Sequence, residues 1–204
     1  MAESREPIIG VLALQGDFAA HCRMLERIGC RSLEVRKPSQ LGELAGLIIP
    51  GGESTTLLKL FVPSDMESAI RQFHSAGKPI FGTCAGVILL ATEVTRPAQH
   101  SLGLLDVTVE RNSYGRQIDS FETRGTFRDN GHDADRPLEM VFIRAPRIVR
   151  VGPAVRVLAR HENEPVLVRA DNILGATFHP EMTADSTVHE LFVRMSRTAQ
   201  DRPA

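Results

Sequence analysis

Strand-length apolar runs alternate with amphipathic segments through the first half of the chain, and this alternation restricts the fold more than any other feature. The runs at residues 8–14, 45–52 and 78–84 contain few polar residues, which predicts strands buried on both faces. Segment 17–29 has apolar residues at helical spacing, with Asp17 as the predicted N-cap. Such alternation predicts a parallel sheet with helices on both faces.

The remaining elements follow from the same patterns. A further strand is predicted at residues 32–36, and further helices at 55–61, 66–76, 85–94 and 186–196. The second half contains closely spaced strand candidates, at residues 104–111, 120–127, 138–145, 155–162, 165–171 and 173–179. We therefore expect an antiparallel or mixed extension of the sheet. We also expect one domain over residues 1–204, with 197–204 as a flexible tail.

Composition argues against several classes of function. The 204-residue chain has a formal net charge of −1, no Trp and one Tyr, which argues against binding to nucleic acid or an anionic membrane. No segment approaches the roughly 20 apolar residues that span a bilayer, and the N-terminal segment lacks the basic flank of a signal peptide. The three cysteines lack paired spacing, so we expect no disulfide framework and a reducing, cytoplasmic location.

Cys84 stands between two glycines, Gly82 and Gly86, where a predicted strand meets a predicted helix. Such a corner strains the backbone and accepts only small neighbours, as in the G-x-S-x-G nucleophile elbow. The helix N-terminus lowers the pKa of a thiol, and the Ala85 N–H points towards a developing oxyanion. A buried structural cysteine is the alternative, and we favour it for Cys22 and Cys30.

A thiol nucleophile needs a base, and the base needs an orienting partner. His179 closes a predicted strand and precedes Pro180, which favours an extended backbone. Residues two apart in an extended chain face the same way, so we expect Glu181 to hold the His179 imidazole. The alternative is a simple turn. His21 and His189 lie in predicted helices, and we interpret them as structural or partner-facing.

The turn Pro50-Gly51-Gly52 ends another predicted strand and offers backbone N–H groups that no side chain obstructs. Such groups suit an oxyanion or a substrate carboxylate. The alternative is an ordinary turn in which Ser54 or Thr55 caps the following helix. The segment lacks the GK[ST] ending of a phosphate-binding loop, so nucleotide binding is not predicted.

Together these motifs resemble the class I, or triad, glutamine amidotransferases. Within that class the chain is similar to the glutaminase subunits of pyridoxal 5′-phosphate synthases. The resemblance extends from residue 10 to residue 185 and rests on the segments LALQGDF, PGGESTT, GTCAG, ERNSYGRQIDSFE, FIRAP and FHPEMTAD. It implies a flavodoxin-like three-layer α/β fold with a mixed, mostly parallel central sheet.

The resemblance also implies the roles of the site residues. Cys84 would attack the carboxamide of L-glutamine, His179 would transfer protons, and Glu181 would orient His179. The oxyanion hole would be formed by backbone N–H groups, at Gly51, Gly52 and Ala85. Glutamine would contact a further set of residues, namely Gly52, Glu53, Ser54, Arg111, Ile143 and Arg144. Arg111 suits the substrate α-carboxylate. No metal or cofactor is implied.

The implied partner is a separate (β/α)₈-barrel synthase subunit, which receives the ammonia and makes pyridoxal 5′-phosphate from a pentose phosphate and a triose phosphate. Family glutaminases are nearly silent until this subunit docks and completes the oxyanion hole. The segment QGDFAAH corresponds to a region near that interface. Many relatives have an acidic residue where this chain has Ala20, which affects details of docking rather than the triad.

Three alternatives stay open at this point. A glutaminase that serves another pathway would share GxCxG and His-Pro-Glu, but we would not expect RNSYGRQIDSFE or FIRAP in it. A related Cys hydrolase would differ in its reaction with glutamine and with esters. A noncatalytic regulator of a synthase would not need all three residues Cys84, His179 and Glu181.

Overall fold

The computed structural model describes residues 6–111, 120–128 and 135–201. Its strands are, in chain order, β1 (Ile8–Leu12), β2 (Arg31–Val35), β3 (Gly46–Ile49), β4 (Ile80–Thr83), β5 (Ala91–Thr95), β6 (Leu105–Glu110), β7 (Ser120–Phe127), β8 (Arg136–Ile143), β9 (Arg147–Val151), β10 (Arg156–His161), β11 (Glu164–Ala170) and β12 (Ile173–Ala176). Its helices are α1 (Phe18–Arg27), α2 (Ser54–Phe61), α3 (Met66–Ser75), α4 (Ala85–Leu90) and α5 (Thr187–Gln200), with 3₁₀ turns at Pro38–Gln40 and Pro180–Met182. Most of the segment RNSYGRQIDSFE lies outside the described residues.

The large sheet has nine strands in the order β2-β1-β3-β4-β12-β11-β10-β7-β8. Its first five strands, from β2 to β12, are parallel. With β12 as the fifth strand, their order is the 2-1-3-4-5 order of flavodoxin-like folds. From β12 to β8 every pairing is antiparallel. The predicted parallel sheet with an antiparallel extension is therefore confirmed.

Both faces of the central strands are buried. Along β3, Leu47 and Ile49 pack on the side of Phe61 and the helices α2, α3 and α4, while Ile48 points to the opposite side with Phe192 of α5. This alternation is the period of two that a strand imposes. Each such fully buried side chain stabilises the fold by about 1.5–3 kcal/mol. The result is the expected three-layer arrangement, with α1 and α5 on the second face.

A second, three-stranded sheet in the order β5-β6-β9 was not predicted. The helix predicted over residues 85–94 ends at Leu90, and residues 91–95 form β5 instead. The β-branched residues Thr92, Val94 and Thr95 favour a strand, and β5 pairs in parallel with β6. The sequence reading also missed β9, which pairs antiparallel with β6.

The C-terminal part also differs from prediction. The strand predicted over residues 173–179 ends at Ala176. Helix α5 extends to Gln200, so residues 197–200 are helical rather than part of a flexible tail, and the Asp201 N–H donates to the Arg197 carbonyl at 3.1 Å at the helix end. Among the described residues, no helix is long and apolar enough to cross a membrane.

The topology determines where the candidate site residues meet. Strands β3, β4 and β12 are neighbours and run in the same direction. The turn at Gly51 follows β3, Cys84 follows β4, and His179 lies shortly after β12. Ligands of open α/β sheets bind beyond such carboxyl ends. The sheet order thus gathers at one edge three motifs that are far apart in sequence.

Candidate active site

Cys84 lies on the predicted corner between β4 and α4, with a strained backbone of φ 46° and ψ −103°. The flanking glycines are required by close packing. A Cβ atom at Gly82 would lie 2.6 Å from the carbonyl carbon of Gly86. One at Gly86 would collide with the backbone carbonyl of Ile49 in β3. The GxCxG motif therefore lets the corner pack against the neighbouring strand.

We expect Gly86→Ala to destabilise the fold by about 1–3 kcal/mol, because the added methyl group meets backbone that cannot move aside as a side chain can. Urea unfolding followed by circular dichroism measures this change. Gly42→Ala is the matched control, since a Cβ atom at Gly42 meets nothing within 4 Å. Equal unfolding midpoints for the two variants would contradict this account of the motif.

His179 and Glu181 form a buried pair, in which the His179 Nδ1–H donates to Glu181 Oε1 at 2.7 Å. Their side chains are at most 3 % exposed. The predicted pairing is present, but its geometry differs from the prediction. His179 precedes a 3₁₀ turn that begins at Pro180, so Glu181 curls back towards the imidazole rather than following along an extended chain.

The electrostatics of the pair favour its charged form. Burial raises the pKa of Glu181, but the neighbouring His21 and the hydrogen bond from His179 outweigh this and lower it to about 2. Burial lowers the pKa of His179, yet interactions with Cys84 and Glu181 raise it well above its usual range. At neutral pH Glu181 is therefore a carboxylate that supports a protonated His179.

Cys84 and His179 face each other across Gly51. A Cβ atom at Gly51 would lie 3.1 Å from the Cβ of Cys84 and 3.1 Å from Nδ1 of His179, so only glycine leaves this space open. Because Nδ1 is bonded to Glu181, the Nε2 of His179 is the nitrogen left for the thiol. The Cys84 Sγ also lies 4.0 Å from the carbonyl oxygen of Ile143.

The backbone donors of the expected oxyanion hole are not equivalent. The Gly51 N–H donates to Thr83 Oγ1 at 2.9 Å, so it is not free to bind an oxyanion in this conformation. For the N–H groups of Ala85 and Gly52, no acceptor is found within residues 6–111, 120–128 and 135–201. In this conformation the Thr83 hydroxyl is the acceptor of the Gly51 N–H, so Gly51 would have to exchange this partner before it could serve as an oxyanion donor.

A pocket of 220 Å³ opens beside Cys84 and His179. All six expected glutamine contacts line it, with Gly52, Glu53 and Ser54 on one side and Arg111, Ile143 and Arg144 at the other. Arg144 has a positive φ of 45°, a strained conformation of the kind found at functional sites.

Some of these side chains also have structural partners. Glu53 caps α2, because its carboxylate accepts hydrogen bonds from the N–H groups of Thr55 at 3.0 Å and Thr56 at 2.7 Å. The cap is therefore neither Ser54 nor Thr55, the two residues considered from sequence. Ser54 Oγ instead donates to Gln99 Oε1 at 3.1 Å. Arg111 Nη2 donates to Thr55 Oγ1 at 3.3 Å, which holds the guanidinium near the pocket.

Sequence reasoning missed three lining residues, Asp17, Ile88 and Pro146. Asp17 occupies the predicted N-cap position of α1 but makes no capping bond with its side chain. Its Oδ2 lies 4.0 Å from His179 Nδ1 instead. Asp17 follows β1, a parallel strand of the same sheet, so the carboxyl-end rule applied to β1 would have found it.

Asp17, His179 and Glu181 offer ligand atoms that lie within 4.8 Å of one another, an arrangement that can in principle hold a metal ion. A metal at Nδ1 of His179 would have to displace the 2.7 Å hydrogen bond to Glu181. A thiol beside an imidazole that is itself bonded to a carboxylate is the arrangement found in nucleophilic catalysis. We therefore assign His179 and Glu181 of this cluster to proton transfer.

Comparison with known proteins connects this site to a family. A model of the SNO glutamine amidotransferase family matches residues 11–198. The pyridoxal 5′-phosphate synthase subunit PdxT of Koribacter versatilis is 54% identical over 189 residues, which cover 93% of this chain and 95% of that protein. PdxT of Desulforudis audaxviator is 48% identical, over 91% of this chain and 96% of that protein. A crystal structure of a glutamine amidotransferase, 45% identical, superposes with a TM-score of 0.85 over 92% of this chain and 98% of that one.

Proposed function

The chain belongs to the SNO glutamine amidotransferase family, and on that premise we propose that it is the glutaminase subunit of a pyridoxal 5′-phosphate synthase. The resemblance drawn from the motifs is confirmed by the family match and by PdxT relatives of about half identity over most of the chain. The observation that carries the reaction is Cys84 on a strained corner beside a His179 that is bonded to the buried Glu181. The alternatives of another glutaminase or a Cys hydrolase are not favoured.

The triad hydrolyses L-glutamine to L-glutamate and ammonia in two stages. The Cys84 thiolate attacks the carboxamide carbon, and protonated His179 gives its proton to the departing nitrogen, which leaves as ammonia. The resulting γ-glutamyl thioester is then attacked by water, whose proton returns to His179 while the C–S bond breaks. Glu181 stays ionised throughout and stabilises the imidazolium, as expected from its lowered pKa.

The pocket residues position the substrate. The N–H groups of Ala85 and Gly52 are the donors that support an oxyanion at the carboxamide, since neither has an acceptor among the described residues. Arg111 binds the α-carboxylate through its guanidinium. Glu53, Ser54, Ile143 and Arg144 complete the wall of the pocket. In this proposal the chain acts as one glutaminase domain.

The ammonia passes to a barrel-shaped synthase subunit of the same cytoplasmic complex. The name of the PdxT relatives, pyridoxal 5′-phosphate synthase subunit, supports a partner of this kind. The bond from the Gly51 N–H to Thr83 supports the further proposal that this subunit completes the oxyanion hole when it docks. Release of the Gly51 peptide from Thr83 would add a donor beside Cys84.

We expect the cognate barrel subunit to accelerate ammonia release from glutamine by about 100-fold or more, because one missing oxyanion donor costs about 100- to 1,000-fold in rate. A coupled assay for glutamate and ammonia, with the barrel subunit titrated to saturation, measures the effect. Serum albumin in place of the barrel subunit controls for protein concentration. An isolated chain that already turns over at the rate of the complex would contradict the proposed activation.

A further inference from the structure

Two further histidines, both fully buried, lie on the side of Glu181 that faces away from His179. His21 of α1 places its Nε2 at 3.3 Å from Glu181 Oε2. Its Nδ1 lies 2.9 Å from Nε2 of His189 in α5. With His179 on the other carboxylate oxygen, the side chains form a continuous series from α5 to the edge of the glutamine pocket. The triad mechanism as described above uses neither His21 nor His189.

The surroundings determine which nitrogens carry the protons. His189 Nδ1 is buried and has no hydrogen-bond partner in the part of the chain that the structure describes. A buried donor without an acceptor is costly, so His189 carries its proton on Nε2 and donates it to Nδ1 of His21. His21 then carries its own proton on Nε2, the nitrogen that faces Glu181. The opposite tautomers would direct a lone pair of His21 at the carboxylate.

Burial keeps both rings neutral, which makes this arrangement stable near neutral pH. Desolvation lowers the pKa of His21, and although Glu181 opposes this effect the net shift is downwards. Desolvation and the neighbouring His21 lower the pKa of His189 to about 3. A neutral His21 still has one N–H group, which can serve as a hydrogen-bond donor to the Glu181 carboxylate.

Glu181 needs such a donor. Its Oε1 is bonded to His179, but its buried Oε2 has no hydrogen bond among the described residues, and the His21 Nε2 is the nitrogen beside it at 3.3 Å. The His21 Nε2–H donates to Thr83 Oγ1 at 3.2 Å while the same nitrogen lies 3.3 Å from Glu181 Oε2. Thr83 Oγ1 in turn accepts from the Gly51 N–H. His21 therefore contacts both the triad carboxylate and the residue that holds the Gly51 turn.

We propose that His21 is a positioning residue of the glutaminase reaction, whose Nε2–H holds the Glu181 carboxylate in line with His179, and that His189 keeps His21 in the required tautomer. This proposal rests on the proposed glutaminase function. It assigns a role in the reaction to a buried pair that sequence patterns indicate only as structural.

A purely structural role is the competing explanation. His21 and His189 also pack edge-on against Phe81, with ring centroids at 6.2 and 6.0 Å. Their replacement would then change stability but not the kinetics of the folded enzyme. The two explanations differ in the rate constant and its pH dependence, not in the unfolding curve.

The first test compares His21→Leu, which removes the N–H, with His21→Gln, whose amide can donate from nearly the same place. For His21→Leu we expect kcat in the presence of the barrel subunit to fall about tenfold, because the variant loses one hydrogen bond to a charged group. KM changes less than about twofold, because His21 does not line the pocket. His21→Gln restores most of kcat. His100→Gln, at an exposed histidine bonded to Glu67, is the matched control.

The pH profile separates positioning from packing. The titratable groups that face the pair are Asp17 and Cys84 around His179, and the neutral His21 around Glu181. Without the His21 N–H, the Glu181 carboxylate is no longer held in line with His179. The hydrogen bond that Glu181 accepts from the imidazolium then weakens, and because this bond raises the pKa of His179, that pKa falls. The basic limb of kcat/KM therefore moves down by about one pH unit in His21→Leu and returns in His21→Gln. An unchanged kcat and an unchanged limb in folded His21→Leu would overturn the proposal.

Nitrogen-15 spectra of histidine-labelled wild-type protein decide the question if the Leu variant does not fold. We expect His21 and His189 both neutral, each protonated on Nε2, whereas a proton on Nδ1 of His21 would overturn the proposal. The wild-type assay keeps this test apart from the proposed function. If wild type with the barrel subunit releases no ammonia from glutamine, the proposed function fails. If wild type is active but the His21 variants match it, only the positioning role fails.

Discussion

Cys84→Ala is expected to reduce glutamine hydrolysis by about 10,000-fold or more while the fold is retained. Removal of a nucleophile from a triad eliminates the covalent route altogether and leaves only the contribution of binding and of the oxyanion donors. The substitution removes one sulfur atom from a position that is 6 % exposed, so the loss of packing is small. Ammonia release at saturating barrel subunit measures activity, and circular dichroism with thermal unfolding reports the fold.

Cys22→Ala and Cys30→Ala are the matched controls. Burial raises the pKa of both thiols, which lowers their thiolate fraction and their reactivity. An electrophilic glutamine analogue should therefore add mass at Cys84 alone, as tryptic mass spectrometry would show. Modification at Cys22 or Cys30, or substantial turnover by Cys84→Ala, would contradict the assignment of the nucleophile.

Glu181→Gln is expected to lower kcat by about 1,000- to 10,000-fold, with little change in KM. The pKa of Glu181 is lowered to about 2, so wild type carries a full negative charge there at any pH of interest. The amide removes this charge beside an imidazole that is 3 % exposed, and the His179 cation loses its counter-ion. The pKa of His179 then falls, so activity should decline at a lower pH than in wild type. Steady-state kinetics across pH measure both effects.

Glu26→Gln, at an exposed glutamate of α1, is the control for the charge change alone. It should leave kcat, KM and the pH profile as they are in wild type. A Glu181→Gln enzyme with a kcat within tenfold of wild type would show that His179 does not depend on a carboxylate, and the triad would reduce to a dyad.

The residues that sequence patterns identified are those whose chemistry is local. Gly82 is required by its contact with the Gly86 backbone within one strand-turn-helix corner, so the spacing GxCxG is sufficient to predict the corner, whereas the contact of Gly86 with Ile49 of β3 is long-range. The pairing of His179 with Glu181 is likewise short-range. The sequence pattern predicts this pairing, but it does not predict the 3₁₀ turn that brings Glu181 back to the imidazole. The parallel order of the first strands follows from their alternation with helices.

What could not be predicted depends on long-range contacts. The change from α4 to β5 occurs because β6 offers a partner strand for residues 91–95. The contact of His21 with Glu181 joins segments 160 residues apart, and no local pattern distinguishes His21 from any other buried helical histidine. The orientation of the Gly51 peptide depends on Thr83, a residue of another strand. Each of these features requires the tertiary fold to be known.

The position of β12 has a consequence for the synthesis of the protein. This strand lies in the middle of the large sheet, between β4 and β11, and the Cys84 N–H donates to the Ala176 carbonyl at 2.9 Å. A chain still on the ribosome that has not released residue 176 therefore has neither a closed sheet nor a supported nucleophile, and its base follows three residues later. Hydrolysis of glutamine therefore requires that residues 176–181 have left the ribosome, so shorter nascent chains do not consume it.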